Sequence, residues 1–155
     1  MLLDFGKDVL ISTIVVWNRI DDGRINRIIG CTLSIISNAN ITVFSQPFDK
    51  VQEAYEYDFG PRPSTIIPSP KIPIYARYIK LQRVYKTPIP TTGDNIINIL
   101  GIDVYDAIGT FISDQSTPYM SAVTQGNVAQ NGPQYLIDGV HQKFKADGSC
   151  HGESH

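Results

Sequence analysis

Side chains able to do chemistry are concentrated in two short stretches. Asn18-Arg19-Ile20-Asp21-Asp22-Gly23-Arg24-Ile25-Asn26-Arg27 mixes guanidinium with carboxylate groups, and Cys150-His151-Gly152-Glu153-Ser154-His155 mixes imidazole with carboxylate. In the first, Arg19 and Asp21 stand where a surface ion pair would hold a loop at a strand end, worth about 0.2–1 kcal/mol. Arg24 and Arg27 are expected in solvent. In the second, His151, Glu153 and His155 carry ligand types that suit zinc or nickel, although a cluster of this kind near a chain end usually binds metal adventitiously. Catalytic arrangements do not emerge. The sequence has no Gly-x-Ser-x-Gly element, no phosphate-cradling loop and no His-Glu-x-x-His pattern. The adjacent carboxylates Asp21 and Asp22 lie in a basic loop where both stay ionised, so the chain is expected not to be an enzyme.

Bulk properties narrow the class of partner. The chain has 155 residues, 42% of them hydrophobic, enough for the core of one domain, and residues 1–155 are expected to form it. A formal net charge of -2 from 13 basic and 15 acidic residues leaves no electrostatic footprint for nucleic acid or an anionic membrane. No apolar run is long enough to insert in a bilayer, and the amino terminus lacks the order of a signal peptide. Cys31 and Cys150 are too few for a disulfide framework and have no zinc-ligand spacing. Either they are free thiols or the fold brings them together near the two chemical stretches. Asn40-Ile41-Thr42 is a glycosylation sequon in an expected hairpin turn.

The elements that must position these groups read as strands. Val9–Trp17 is β-branched, Thr32–Ser37 and Ile41–Phe44 flank the turn formers Asn38, Ala39 and Asn40, Tyr78–Val84 alternates, and Ile96–Tyr105 is a final apolar strand. Phe59–Pro73 is proline-rich and is expected to be a surface connection. Ser113–Gly132 is polar and reads by itself as a loop or tail. Helical periodicity is missing, so the pattern predicts an all-β sandwich.

Several of these segments together carry a family resemblance. Asp4-Phe5-Gly6-Lys7, Ile11 through Arg19, Asp21, Arg27 and Gly30 to Leu33 resemble the central stretch of fucolectin-type (F-type) lectins within the discoidin-like, galactose-binding-like superfamily. Tyr75 through Gln82 resembles that family's late strand, and Ile96–Tyr105 its closing strand. The resemblance implies a jelly-roll β-sandwich and spans most of residues 1–106. Residues 111–155, through Gln115-Ser116, Tyr135 to Gly139 and Ser149 to Ser154, resemble the opening of such a domain, which normally precedes Asp4-Phe5-Gly6. The halves are therefore in reversed order. A circular permutation, a slice of a tandem array, or a tail that completes a neighbour's sandwich by strand exchange would each produce that order.

The resemblance also implies a site. F-type lectins bind a fucose-like sugar through a histidine and two arginines, and guanidinium supplies a rigid, permanently charged fork of donors for vicinal hydroxyls. Arg19 and Arg27 match the arginines, Asp21 would orient them, and His151 matches the histidine. His141 and His155 have less claim. Five residues separate Asp21 from Arg27 where the family has four, and Asp22 and Gly23 replace its vicinal cysteines. The family's calcium site is matched only at Asp138. Gly101 stands at the companion acidic position and Tyr135 and Val140 at neighbouring ones, so calcium is disfavoured, no cofactor is expected, and Asp138-Gly139 is expected to make a turn. The expected function is a non-catalytic carbohydrate-binding module, of fucose or galactose type, at an extracellular or virion surface, with glycan as partner. The alternative is an assembly module of a surface, fibre or virion protein, self-associating through its C-terminal segment.

Overall fold

The computed structural model describes residues 1–20, 25–60, 74–83, 96–121, 132–141 and 150–153, with Ile96 and 150–153 described by backbone alone. The expected proline-rich connection lies, beyond Gly60, outside the described residues. The architecture is all-β and antiparallel. Eight strands are present among the described residues: β1 (Leu2–Asn18), β2 (Cys31–Ile36), β3 (Thr42–Pro47), β4 (Ala54–Asp58), β5 (Ile74–Arg83), β6 (Ile96–Asp106), β7 (Thr117–Tyr119) and β8 (Cys150–Glu153). Their hydrogen-bonded order is β3-β2-β5-β1-β6-β8, with β4 and β7 also paired to β1.

The long first strand explains how this order makes a sandwich. Its first half, Leu2 to Ile11, pairs with β5, and Leu2 to Asp4 also pair with β7. Its second half, from Thr13, pairs with β6 and β4. The strand thus passes from one sheet into the other, and the register shifts between Asp4 and Val9 and again between Ile11 and Thr13. Gly6 makes the first shift possible. It adopts φ +73°, its N–H donates to Asp4 Oδ1 at 2.7 Å, and Gly6, Lys7 and Asp8 bulge into solvent.

Alternation supplies the inner faces. Cys31, Leu33 and Ile35 of β2 and Ala76, Ile79 and Leu81 of β5 point inward, where they meet Ile14 and Val16 of β1 and Ile99, Ile102 and Val104 of β6 in one shared core. Phe48, 2% exposed, packs edge-on against Tyr55 with ring centroids 4.5 Å apart. Strand β6 is buried on both faces, because residues 111–120 and 132–141 cover its other side and contribute Ile112, Met120 and Leu136 to the core.

For the described residues up to Ser121, that cover corrects the expectation that Ser113–Gly132 is a loop or tail; residues 122–131 lie outside the described residues. Ser113–Gln115 is a 3₁₀ turn followed directly by β7 on β1. The Ser113 hydroxyl substitutes for a missing strand: it accepts the Val104 N–H at 2.7 Å and donates to the Ile102 carbonyl at 3.0 Å. Ser113 is fully buried, and the Ile112 N–H donates to the Val104 carbonyl beside it. A polar composition predicted solvent, but here the hydroxyls satisfy a buried strand edge.

Candidate functional site

The corner where β1 ends carries the predicted arginines. Asn18, the last residue of the strand, is fully buried. Its side-chain amide donates to the Ile25 carbonyl at 3.1 Å and to the Gln52 carbonyl at 3.0 Å. One amide thus fastens the strand end both to the 3₁₀ turn Ile25–Ile28 and to the approach to β4. Arg19 follows Asn18 directly, and Arg27 lies in the last turn of that 3₁₀ segment. They are 7% and 8% exposed. This corrects one expectation: Arg27 is not solvated. Asp21, like Asp22 and Arg24, lies outside the described residues.

A third guanidinium, absent from the sequence-based set, shapes the same corner. Arg83 closes β5 at 5% exposure, donates to the Ile29 carbonyl at 3.0 Å and also donates to the Arg27 carbonyl. It therefore ties the end of β5 to the backbone that carries Arg27. The sequence signal was the position of Arg83 in the alternation of β5: it takes the inward phase set by Ile79 and Leu81. Cys31 sits beneath, its thiol 3.7 Å from the same Arg27 carbonyl, and burial pushes that thiol up to about 11. Cys31 is a free, buried cysteine.

The backbone brings His151 to this corner from the far end of the chain. In the β1–β6 register Asn18 stands opposite Ile99, and in the β6–β8 register Ile99 stands opposite Cys150 and Asn98 opposite His151. One step along each strand from the Asn18–Ile99–Cys150 row are Arg19, Asn98 and His151. Asn98 is fully buried, and neither side-chain atom of its amide has a hydrogen-bond partner among the described residues. His155 lies outside them.

On the second half of β1 a different cluster forms, from residues the sequence did not single out for this. Trp17 Nε1–H donates to Asp103 Oδ2 at 2.8 Å. His141 Nε2 lies 3.0 and 2.9 Å from the two oxygens of the same carboxylate, and an acceptor-only carboxylate assigns the proton to Nε2. Asp103 is 5% exposed. Gly101 makes room for the imidazole: a Cβ there would lie 2.8 Å from His141 Cε1. The space beside Gly101, where the family resemblance implies an acidic calcium ligand, is filled by this ring. Asp138 accepts the Val140 N–H at 2.9 Å, which is the expected turn. Among the described residues, no group of three His, Cys, Asp or Glu side chains could hold a metal ion, and no helix is long and apolar enough to cross a membrane.

No family model and no curated protein matches the sequence. Solved structures do show similarity. The lectin domain of lectinolysin complexed with Lewis B antigen is 23% identical at a TM-score of 0.41, over 52% of this chain and 50% of that one. A Streptococcus pneumoniae fucose-binding module, SpX-3, is 16% identical at a TM-score of 0.40, over 52% and 50% of the two chains. A histidine mutant of the lectinolysin lectin-binding domain complexed with Lewis b is 24% identical at a TM-score of 0.40, over 52% and 49%. The chain thus spans about half the length of each.

Proposed function

We propose that this chain is a non-catalytic carbohydrate-binding module of the F-type, discoidin-like kind, with its halves in circularly permuted order, and that Arg19, Asp21, Arg27 and His151 bind the sugar. The observation that carries this reading is the convergence of the two chemical stretches. Asn18 fastens the Arg19 strand end to the turn bearing Arg27, and His151 stands opposite Asn98 on β8, with β6 between it and the Arg19 end of β1. Guanidinium forks held by a packed backbone suit vicinal ring hydroxyls, because their orientation is fixed before the ligand arrives. The low exposure of Arg19 and Arg27 fits donors at the floor of a small site better than donors on a rim.

The permuted order is supported by the same pairings. Strands β7 and β8, from the segment that resembles the opening of the family domain, join β1 and β6 of their own chain. These pairings fit a single chain that completes its own sandwich, the reading proposed here over strand exchange. A glycan array on the intact protein tests the proposal: the expected result is selective retention on terminal fucosylated or galactosylated glycans. Absence of binding to any glycan would leave the sandwich as an assembly module.

A further inference from the structure

Strand β3 pairs with β2 and strand β4 with β1, and the two meet through aromatic side chains where the sheets come together. Phe44 of β3 packs edge-on against Tyr57 of β4 with ring centroids 5.5 Å apart, and Phe48, just past β3, packs likewise against Tyr55. Beside these rings lies an open cavity of about 200 Å³, bordered by Gln46, Asp49, Lys50, Gln52, Glu56 and Tyr57 as well as the Phe48 and Tyr55 rings. Its rim is the segment joining β3 to β4, and that segment is pinned. The Phe48 N–H donates to the Cys31 carbonyl at 2.9 Å, and the Phe48 carbonyl accepts the Gly30 N–H at 3.1 Å. The Tyr55 hydroxyl donates to the Lys50 carbonyl at 2.6 Å and accepts the Gln52 N–H at 3.0 Å. Groups on the rim therefore stand on a fixed backbone before any ligand arrives.

The cavity adjoins the arginine corner. Trp17 pairs with Ala54 in the β1–β4 ladder, and beyond that pair the Asn18 N–H donates to the Glu53 carbonyl at 2.9 Å. The next residues on the two chains are Arg19 and Gln52, and the Gln52 carbonyl also accepts the Asn18 side-chain amide. Gln52 is thus a shared border between the corner and the cavity. The lining has the chemistry that a sugar ring needs. Tyr55 and Tyr57 supply apolar ring surface, and burial pushes the Tyr57 hydroxyl up to about 12, so it keeps its proton and can donate. Gln52 carries a donor and an acceptor on one planar amide, Asp49 accepts from hydroxyls, and both are exposed on the rim. Acidic Asp49 lies next to basic Lys50, so the rim offers a free ion of either sign no uniform field. The volume is below that of sites for drug-sized ligands and suits a single ring.

We propose, on the basis of the sugar-binding reading of the arginine corner, that this cavity is a second subsite, which takes the ring linked to the sugar held there. The ligand is then a disaccharide or a longer glycan end. Calorimetric titration of fucose, galactose and a fucosylgalactose disaccharide into the full chain tests this, alongside the double variant Asp49→Ala with Gln52→Ala. Both side chains are exposed, and near-native melting of the variant checks that it folds. The expected result is a disaccharide bound at least about tenfold more tightly than the better monosaccharide, with that ratio falling close to one in the double variant. Binding of none of the three contradicts the sugar site at the corner, and this subsite with it. A bound monosaccharide that gains nothing from the second ring overturns the subsite alone. So does a gain that survives in the folded double variant.

Discussion

The imidazole of His141 lies flat on the indole of Trp17, with ring centroids 4.7 Å apart and planes inclined by 19°. Both rings also address the one carboxylate of Asp103. Three parts of the chain, β1, β6 and the segment ending at residue 141, are therefore locked at a single acidic side chain. Replacing Asp103 by Ala leaves the partly buried Trp17 and His141 N–H groups without their acceptor, each a desolvation cost only partly repaid. We expect a loss of about 2–3 kcal/mol in urea unfolding. His141→Ala and Trp17→Phe should be non-additive with it in a double-mutant cycle, and simple additivity would show that the three groups do not act together.

Gly101→Ala tests the same lock from its other side. A methyl at that position would meet His141 Cε1 at 2.8 Å, and the ring cannot swing away without abandoning both Trp17 and Asp103. The substitution should destabilise by about 1–3 kcal/mol, the usual range for overpacking. In a His141→Ala background most of that cost should vanish. Equal costs in both backgrounds would place the clash elsewhere.

Removal of residues 111–155 should abolish soluble folding. The truncated chain would lose β7 from β1, β8 from β6, and the Ser113 hydroxyl from the Val104 and Ile102 main chain. It would also expose the faces now covered by Ile112, Met120 and Leu136. Aggregation on expression is expected, since unpaired edges and apolar faces coincide. A monomeric fragment ending at Thr110 that melts cooperatively would contradict the single closed sandwich.

An acid limb of stability should trace to Asp4. Arg77 donates to both of its oxygens, at 2.8 and 3.1 Å, and that hydrogen bonding holds the carboxyl below its ordinary value of 3.8. A folded-state pKa lower than the unfolded one gives a contribution that is complete above the ordinary carboxylate range and is lost as pH falls through the lowered value. The urea midpoint of the unmodified chain should therefore exceed that of Arg77→Gln at neutral pH, by a modest margin because the pair is partly exposed. The two should converge in acid. A gap that persists at the lowest pH would assign the effect to the Arg77 guanidinium over the Tyr78 ring, 4.7 Å from its centroid.

The strands that hold the core were legible because their chemistry is local. Val9–Trp17, Thr32–Ser37 and Tyr78–Val84 announce themselves by β-branching and alternation, and each lies within an observed strand to within a residue. The expected Ile41–Phe44 and Ile96–Tyr105 are likewise found, as β3 and β6. Strand β4 was missed because Ala54-Tyr55-Glu56-Tyr57-Asp58 is rich in acidic and aromatic groups and owes its place to pairing with Thr13 to Trp17 of β1. Strands β7 and β8 were hidden for the same reason: short polar segments become strands only when a partner edge awaits them.

Arg19, Asp21, Arg27 and His151 were named from the family resemblance; Arg19 and Arg27 lie buried beyond the end of β1, the backbone of His151 stands opposite Asn98, and Asp21 lies outside the described residues. What could not be read was burial. A guanidinium following a polar strand end looks solvated in sequence, and only the clamp from Asn18 and the approach of Arg83 reveal that it is enclosed. Asp103 and His141 could not be paired in advance, because nothing local links residues so far apart in the chain. The one available signal was Gly101, a glycine inside an apolar strand, which marks a close approach.

The central claim, that enclosed guanidinium forks recognise sugar hydroxyls, is tested most directly by calorimetric titration of fucose and galactose into the unmodified chain and into Arg19→Lys. Lysine keeps the charge and much of the stem but loses the planar fork. The account predicts saturable binding of at least one sugar to the unmodified chain and a loss of at least about tenfold in affinity for the variant. Circular dichroism of the variant should retain the β spectrum. A folded variant that binds as well as the unmodified chain, or an unmodified chain that binds neither sugar, would contradict it.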